Sequence, residues 1–277
     1  MRFFLLYLIL IFLNNCSFDD KSGIWENENN IIKNKKDRFS QFKSISTSID
    51  PFNEIIQIKK DYKFKLSKKI NPTSWKQIHF NQNNNLNNFE YNNSNELFFK
   101  GKKISKYKVS EYIFYENGNI INSDMKGNIN VFSVTDNKTL IKFNFYKKKY
   151  KEIRKVLNFI VEKNIIYVAD NLGYLYALNY ETNKIEWAKN YKTPFRSNLK
   201  IIENKLVTST ENNNLYFFDK MNGNIFKLIP TEESIIQNEF VNNLSSNNKF
   251  TYFLNSYGSL YAIDNKSMVI KWFLNLN

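Results

Sequence analysis

The chain has 277 residues, 42% hydrophobic and 17% aromatic, enough for one large domain or two ordinary ones, which argues against disorder, collagen-like repeats and disulfide frameworks. Forty basic against 26 acidic side chains give a formal charge of +14, but 36 of the forty are Lys and four are Arg, spread along the chain among 46 Asn. Arg carries most bidentate readout of bases and phosphates, so the balance reads as the Lys and Asn drift of an AT-rich genome, with no nucleic-acid partner.

Met1-Arg2 precedes an apolar run of eleven residues, Phe3 to Leu13, and an abrupt polar switch at Asn14-Asn15-Cys16. The run is too short for a bilayer span, which takes about 20 residues, and its flanks are those of a secretory signal. Cys16 is the one cysteine of the chain and stands at the expected cleavage point. Residues 1–15 resemble a bacterial lipoprotein signal peptide with Leu13-Asn14-Asn15-Cys16 as the lipobox, Asn15 departing from the small residue usual there. The resemblance implies lipidation at Cys16 and attachment to a membrane through that N-terminal lipid. With its only Cys there, the remaining chain has no disulfide, Cys nucleophile or Cys metal site. Residues 16–50, polar and rich in Lys, Asn, Asp and Ser, read as a flexible tether.

Residues 51–104 form an N-terminal region of strands and an Asn-rich leader. Asn53 to Ile70 alternates in the manner of a strand pair, of the kind that closes a propeller by joining its last blade. Trp75 and the single histidine, His79, follow in polar surroundings. A lone imidazole there reads as a surface or packing residue.

From about residue 105 to 277 the chain repeats itself. Ile129-Asn130-Val131-Phe132 aligns with the segments that begin at Leu175, Leu215 and Leu260, at offsets of 46, 40 and 45 residues. A β-rich run precedes each copy, and Gly127, Gly173, Asn213 and Gly258 mark the turn between, where φ > 0 is needed. A second turn follows, then a short segment with a large apolar residue: Trp187, Trp272, Phe226 in the third copy, and Ile141 or Phe143 in the first. Several short strands per unit of this length describe β-propeller blades and not helical arrays. Trp187 and Trp272 are then interface or core residues, and Asp170, Asp219 and Asp264, at strand ends, are turn acceptors.

The stretch Ile165 to Asn179, closed by Ile185-Glu186-Trp187, resembles the PQQ-like propeller repeat, and Tyr257 to Asp264 with Trp272 is a second good copy. The resemblance implies an all-β fold of four-stranded PQQ-like blades. About four to five blades fit the length, fewer than the eight of that family, so the ring is expected to be incomplete and the chain partial; a genuine short propeller, or an open arc completed by another chain, is the alternative. On a lipoprotein, such repeats are similar to the family of outer-membrane β-barrel assembly lipoproteins. This implies a non-catalytic scaffold on the periplasmic face of the outer membrane, whose loops and strand edges bind the assembly machinery or unfolded outer-membrane clients. A propeller lipoprotein that binds a small molecule or glycan is the alternative. A quinoprotein-type enzyme fits least, because its cofactor ligands and paired cysteines are missing; no cofactor, metal or catalytic residue is assigned, and HExxH, CxxC and phosphate-loop motifs are absent.

Overall fold

The computed structural model describes residues 17–18, 25–26, 63, 65–91, 93, 96–97, 99–146, 148–232 and 241–276. The expected signal peptide, Cys16, most of the expected tether and most of the expected strand pair at 53–70 lie outside the described residues. The chain divides into two compact units, residues 1–64 and 65–277. In the first, β1 (Ser17–Phe18) pairs antiparallel with β2 (Trp25–Glu26).

The second unit holds four four-stranded antiparallel meanders. Blade 1 is β3 (Val109–Glu116), β4 (Asn119–Asp124), β5 (Asn128–Ser133) and β6 (Lys138–Asn144). Blade 2 is β7 (Leu157–Glu162), β8 (Ile165–Asp170), β9 (Tyr174–Asn179) and β10 (Lys184–Asn190). Blade 3 is β11 (Lys200–Ile202), β12 (Lys205–Ser209), β13 (Leu215–Asp219) and β14 (Ile225–Ile229). Blade 4 is β15 (Asn243–Ser246), β16 (Phe250–Leu254), β17 (Ser259–Asp264) and β18 (Ile270–Asn275). The second and third strands of a blade are sandwiched between neighbouring sheets, so they read as near-continuous apolar runs such as Ile-Ile-Tyr-Val-Ala in β8. The last strands lie outside: β10 alternates half-buried and exposed residues, and β18 is almost wholly exposed.

Three apolar cores join the blades in series. Ile121, Ile129 and Val131 of blade 1 meet Ile166, Val168 and Tyr176 of blade 2. Tyr167, Leu175 and Ala177 on the other face of blade 2 meet Leu206 and Phe218 of blade 3. Val207, Leu215 and Phe217 of blade 3 meet Phe253, Tyr261 and Ile263 of blade 4. A fully buried Leu such as Leu175 or Leu215 contributes about 2 to 3 kcal/mol. Among the described residues no core joins blade 4 back to blade 1, so the four sheets form an arc and not a closed ring.

The repeat is written most strictly in its irregular positions. The second-to-third strand turn places Gly127, Gly173, Asn213 and Gly258 at φ of 80°, 82°, 61° and 94°. The third-to-fourth strand turn places Asn137, Asn183, Gly223 and Met268 at 50°, 54°, 72° and 53°. A register shift follows at one equivalent point of every blade, bulging the fourth strand at Leu140, Glu186, Phe226 and Lys271. The bulge corrects the sequence alignment. Trp187 pairs with Ala177 and Trp272 with Ala262, and the residues in that register are Ile141 in blade 1 and Lys227, not Phe226, in blade 3. Phe226 is the bulged residue one position earlier, which an ungapped reading cannot tell from its neighbour.

Gly173 and Gly118 separate two reasons for glycine. Both have positive φ, but a Cβ on Gly118 would meet only the Thr135 hydroxyl at 3.4 Å, whereas on Gly173 it would lie 3.0 Å from backbone atoms of Thr193. Gly118→Ala is expected to destabilise the chain by about 1 kcal/mol through left-handed strain alone, and Gly173→Ala by at least about 2 kcal/mol because backbone must also move. Urea unfolding of the two variants checks the order.

Candidate functional site: a strap across the first strands and an open last blade

The first strand of each blade has one neighbour in its sheet, leaving an edge of backbone donors and acceptors that must find partners when buried. Residues 75–84 supply them. Trp75 and Tyr115 of β3 exchange both backbone hydrogen bonds at 2.8 Å. The Val161 amide of β7 donates to the Lys76 carbonyl at 3.0 Å. The Gln82 amide side chain donates to the Ile201 carbonyl of β11 at 2.7 Å. In blade 4, the Ser246 amide of β15 donates to the Gln82 carbonyl, and Asn84 Nδ2 donates to the Leu244 carbonyl, both at 2.8 Å. One short segment therefore laces all four blades. Its ends are tied by a parallel bridge between Ile70 and Phe89, and Phe80, at φ 69°, packs edge-on against Trp75 and Phe89.

Two lysines anchor the strap. Lys76 Nζ lies 2.7 Å from Oε1 of Glu116, a carboxylate buried at the end of β3 that also accepts from the Tyr180 hydroxyl of blade 2. Lys200, 1% exposed at the start of β11, donates from Nζ to Gln77 Oε1 at 3.1 Å, the Asn81 carbonyl at 3.1 Å and Asn84 Oδ1 at 2.6 Å. These three neutral oxygens satisfy the ammonium's three donors, and no ion pair involving Lys200 occurs among the described residues. Burial without a counter-ion pushes Lys200 down to about 8. His79 sits in the strap with its side chain exposed; partial burial first and the Lys200 charge second hold its imidazole below the usual range, favouring the neutral form. Among the described residues no three His, Cys, Asp or Glu side chains gather in a metal-binding group.

The singled-out repeat residues lie apart from the strap. Gly127, Gly173 and Gly258 occupy the turns between second and third strands, and Leu175, Leu215 and Leu260 follow in the third strands. Asp219 Oδ1 accepts from the Met221 amide, and Asp264 Oδ1 from the Lys266 and Ser267 amides. Asp170 is wholly buried and takes the Leu172 and Tyr174 amides on Oδ1 and the Tyr146 hydroxyl on Oδ2. Burial raises its carboxyl above the ordinary value while these hydrogen bonds pull it back. Asp124 and Asn255 play the same part in blades 1 and 4.

Trp187 and Trp272 occupy one register but different surroundings. Trp187 reaches across to blade 3, donating Nε1 to the Lys220 carbonyl at 3.1 Å and lying over Gly223, where a Cβ would come within 2.6 Å of its ring. Trp272 lies near Tyr252, with ring centroids 6.1 Å apart, and is 46% exposed. Around it Phe250, Tyr252, Leu254 and Leu260 repeat the positions of Ile165, Tyr167, Ala169 and Leu175, the face of blade 2 that blade 3 covers. Among the described residues no further sheet covers the blade 4 face. The opposite end of the arc differs. Where blades 2, 3 and 4 turn Val168/Tyr176, Thr208/Tyr216 and Phe253/Tyr261 to the preceding blade, blade 1 carries Asn122 and Asn130, hydrogen-bonded to one another at 2.9 Å. Phe99 packs on Phe132 beside them, and Ser105 bonds Asp124.

Repeated registers, repeated bulges and serial cores define an open stack of β-propeller blades. No family model and no curated protein matches the chain. Among solved structures it is similar to BamB from Moraxella catarrhalis, at 13% identity and a TM-score of 0.49 over 58% of this chain and 47% of that one, so the match spans about half of BamB. It is also similar to the computationally designed Ika4 protein, at 9% identity and a TM-score of 0.46 over 66% of this chain and 100% of that one.

The Lys200 cage makes stability depend on pH. Below about pH 8 the folded and unfolded chains both carry the proton and the full cost of burying the ammonium is present. From there to the ordinary lysine value of 10.5 the folded chain releases the proton first, so stability rises with pH, by up to about 3 kcal/mol. Lys200→Met lacks this slope and strands three acceptors. Urea unfolding should show the wild-type advantage over the variant widening between pH 8 and pH 10, and limited proteolysis of the variant should cut sooner within residues 75–84.

Proposed function

We propose that the chain is a non-catalytic, protein-binding scaffold, lipid-anchored through Cys16 at the periplasmic face of the outer membrane, that takes part in β-barrel protein assembly. The observation that carries the binding role is the blade 4 face, which repeats, residue for residue, a surface that elsewhere in the molecule is buried by another sheet. Its complement is an apolar sheet face, of a further blade or of a partner protein, with a backbone carbonyl for the Trp272 indole in the manner of Lys220 for Trp187. A head-to-tail second copy fits poorly, because the blade 1 face that it would present is polar and partly covered. The assembly pathway and compartment rest on the sequence resemblance, in which a lipoprotein signal stands before PQQ-like repeats.

The experiment is co-purification of the full chain from membranes of the native host, with Trp272→Lys as the interface variant. The wild type is expected to bring down the β-barrel assembly machinery and the variant to lose about tenfold or more of it, as for a central aromatic anchor, with its unfolding midpoint nearly unchanged because Trp272 is half-exposed. No association by the wild type, together with normal porin levels in a deletion strain, sinks the reading.

A further inference from the structure

Where blades 1 and 2 meet, on the side of the second-to-third strand turns, Lys126, Lys148, Lys151 and Lys155 border a cavity of about 290 Å³. Its remaining walls are Tyr and Asn side chains; no Asp or Glu lines it. Lys155 is only 4% exposed, and no ion pair of any of these four lysines occurs among the described residues. Lys155 Nζ donates to the Tyr150 carbonyl and lies 5.3 Å over the Tyr146 ring. Burial, and after it the Lys126 charge, lower its pKa, while Glu152 outside the cavity raises it. Lys126 Nζ turns the same way, to the Lys151 carbonyl at 3.3 Å. Like charges are thus held together around a polar hollow, an arrangement that an entering anion relieves.

The walls are fixed before any ligand arrives. Asp124 takes both the Asn128 amide side chain and the Asn128 backbone amide, and Asn128 in turn accepts from Asn144 at 3.0 Å. The Tyr146 hydroxyl is held by Asp170 at 2.5 Å, and Gly127 passes so close that a Cβ would lie 2.4 Å from the Tyr146 ring. Lysine acts as a compact point charge with three rotatable donors, suited to an oxyanion that offers several oxygens and more than one charge. We propose that this cavity binds a single phosphate group, carried by a soluble phosphomonoester or by a phospholipid headgroup.

Calorimetric titration of the full chain with inorganic phosphate at low salt tests the site, using Lys126→Gln/Lys151→Gln and, as a control of equal charge change, Lys184→Gln/Lys266→Gln, exposed at the start of β10 and in the last turn of blade 4. The cavity variant is expected to bind phosphate about tenfold more weakly and the control within about twofold of the wild type, since remote exposed charges are screened. Binding to phosphatidylglycerol vesicles, against phosphatidylcholine, then separates the sources: a parallel loss in the cavity variant assigns a lipid headgroup, and unchanged vesicle binding beside lost phosphate binding assigns a soluble ester. Phosphate binding that is absent from the wild type, equal in wild type and cavity variant, or equally reduced in the control overturns the proposal.

Discussion

The arrangement of the four blades depends on how the free edges of their first strands are satisfied. A meander sheet ends in an unpaired strand, and gathering four such edges in one place buries backbone groups that each need a partner. The segment from Trp75 to Asn84 meets that need with a backbone exchange at β3, a carbonyl for β7, and side-chain amides together with one carbonyl for β11 and β15. Its residue types follow from the task. Gln and Asn carry both a donor and an acceptor, so one side chain can address an edge whose polarity alternates, and turn conformations let a few residues visit four strands. Lys200 adds the only charge of its cage, held by three neutral oxygens; the desolvation that this entails is offset by fixing the strap to blade 3.

Much of the blade architecture was legible in the sequence because its signals are backbone requirements. Gly127, Gly173, Asn213 and Gly258 mark a turn that demands positive φ, and the Leu-Tyr-Ala-Leu run of β9 shows a strand buried on both faces. The fourth strands were less legible. A bulge adds a residue without leaving a composition signal, so Phe226 looked equivalent to Trp187 although Lys227 holds that register. The strap was not legible at all. Among 46 Asn, those at positions 81 and 84 look like the same compositional drift as the rest. Only the structure separates an Asn that bridges blades, such as Asn198 bonded both ways to Leu244, from an Asn in solvent.

The same limit applies to charge. Spread along the sequence, the lysines suggest a diffuse basic surface; Lys148, Lys151 and Lys155 fall in one basic stretch, but nothing in the sequence joins Lys126 to them. Folding a turn of blade 1 against the connection into blade 2 brings them to one hollow, and burial changes what each is worth. An exposed lysine is hydrated and screened, whereas Lys155 is buried on an aromatic face with a backbone carbonyl for its ammonium, a setting in which an added anion counts for more.

The two ends of the arc show why serial blades need not close into a ring. Closure requires the last face to fit the first as each inner face fits its neighbour. Blade 4 offers Trp272, Tyr252, Leu254 and Leu260 in the register that elsewhere receives Leu206 and Phe218. Blade 1 offers a bonded Asn122–Asn130 pair in place of the central apolar and aromatic residues of blades 2 and 4. Both amides are already buried, at 2% and 0% exposure, so that face is covered and cannot receive the indole and alkyl chains of blade 4. Among the described residues the apolar face of blade 4 has no such cover, and its natural complement is another sheet.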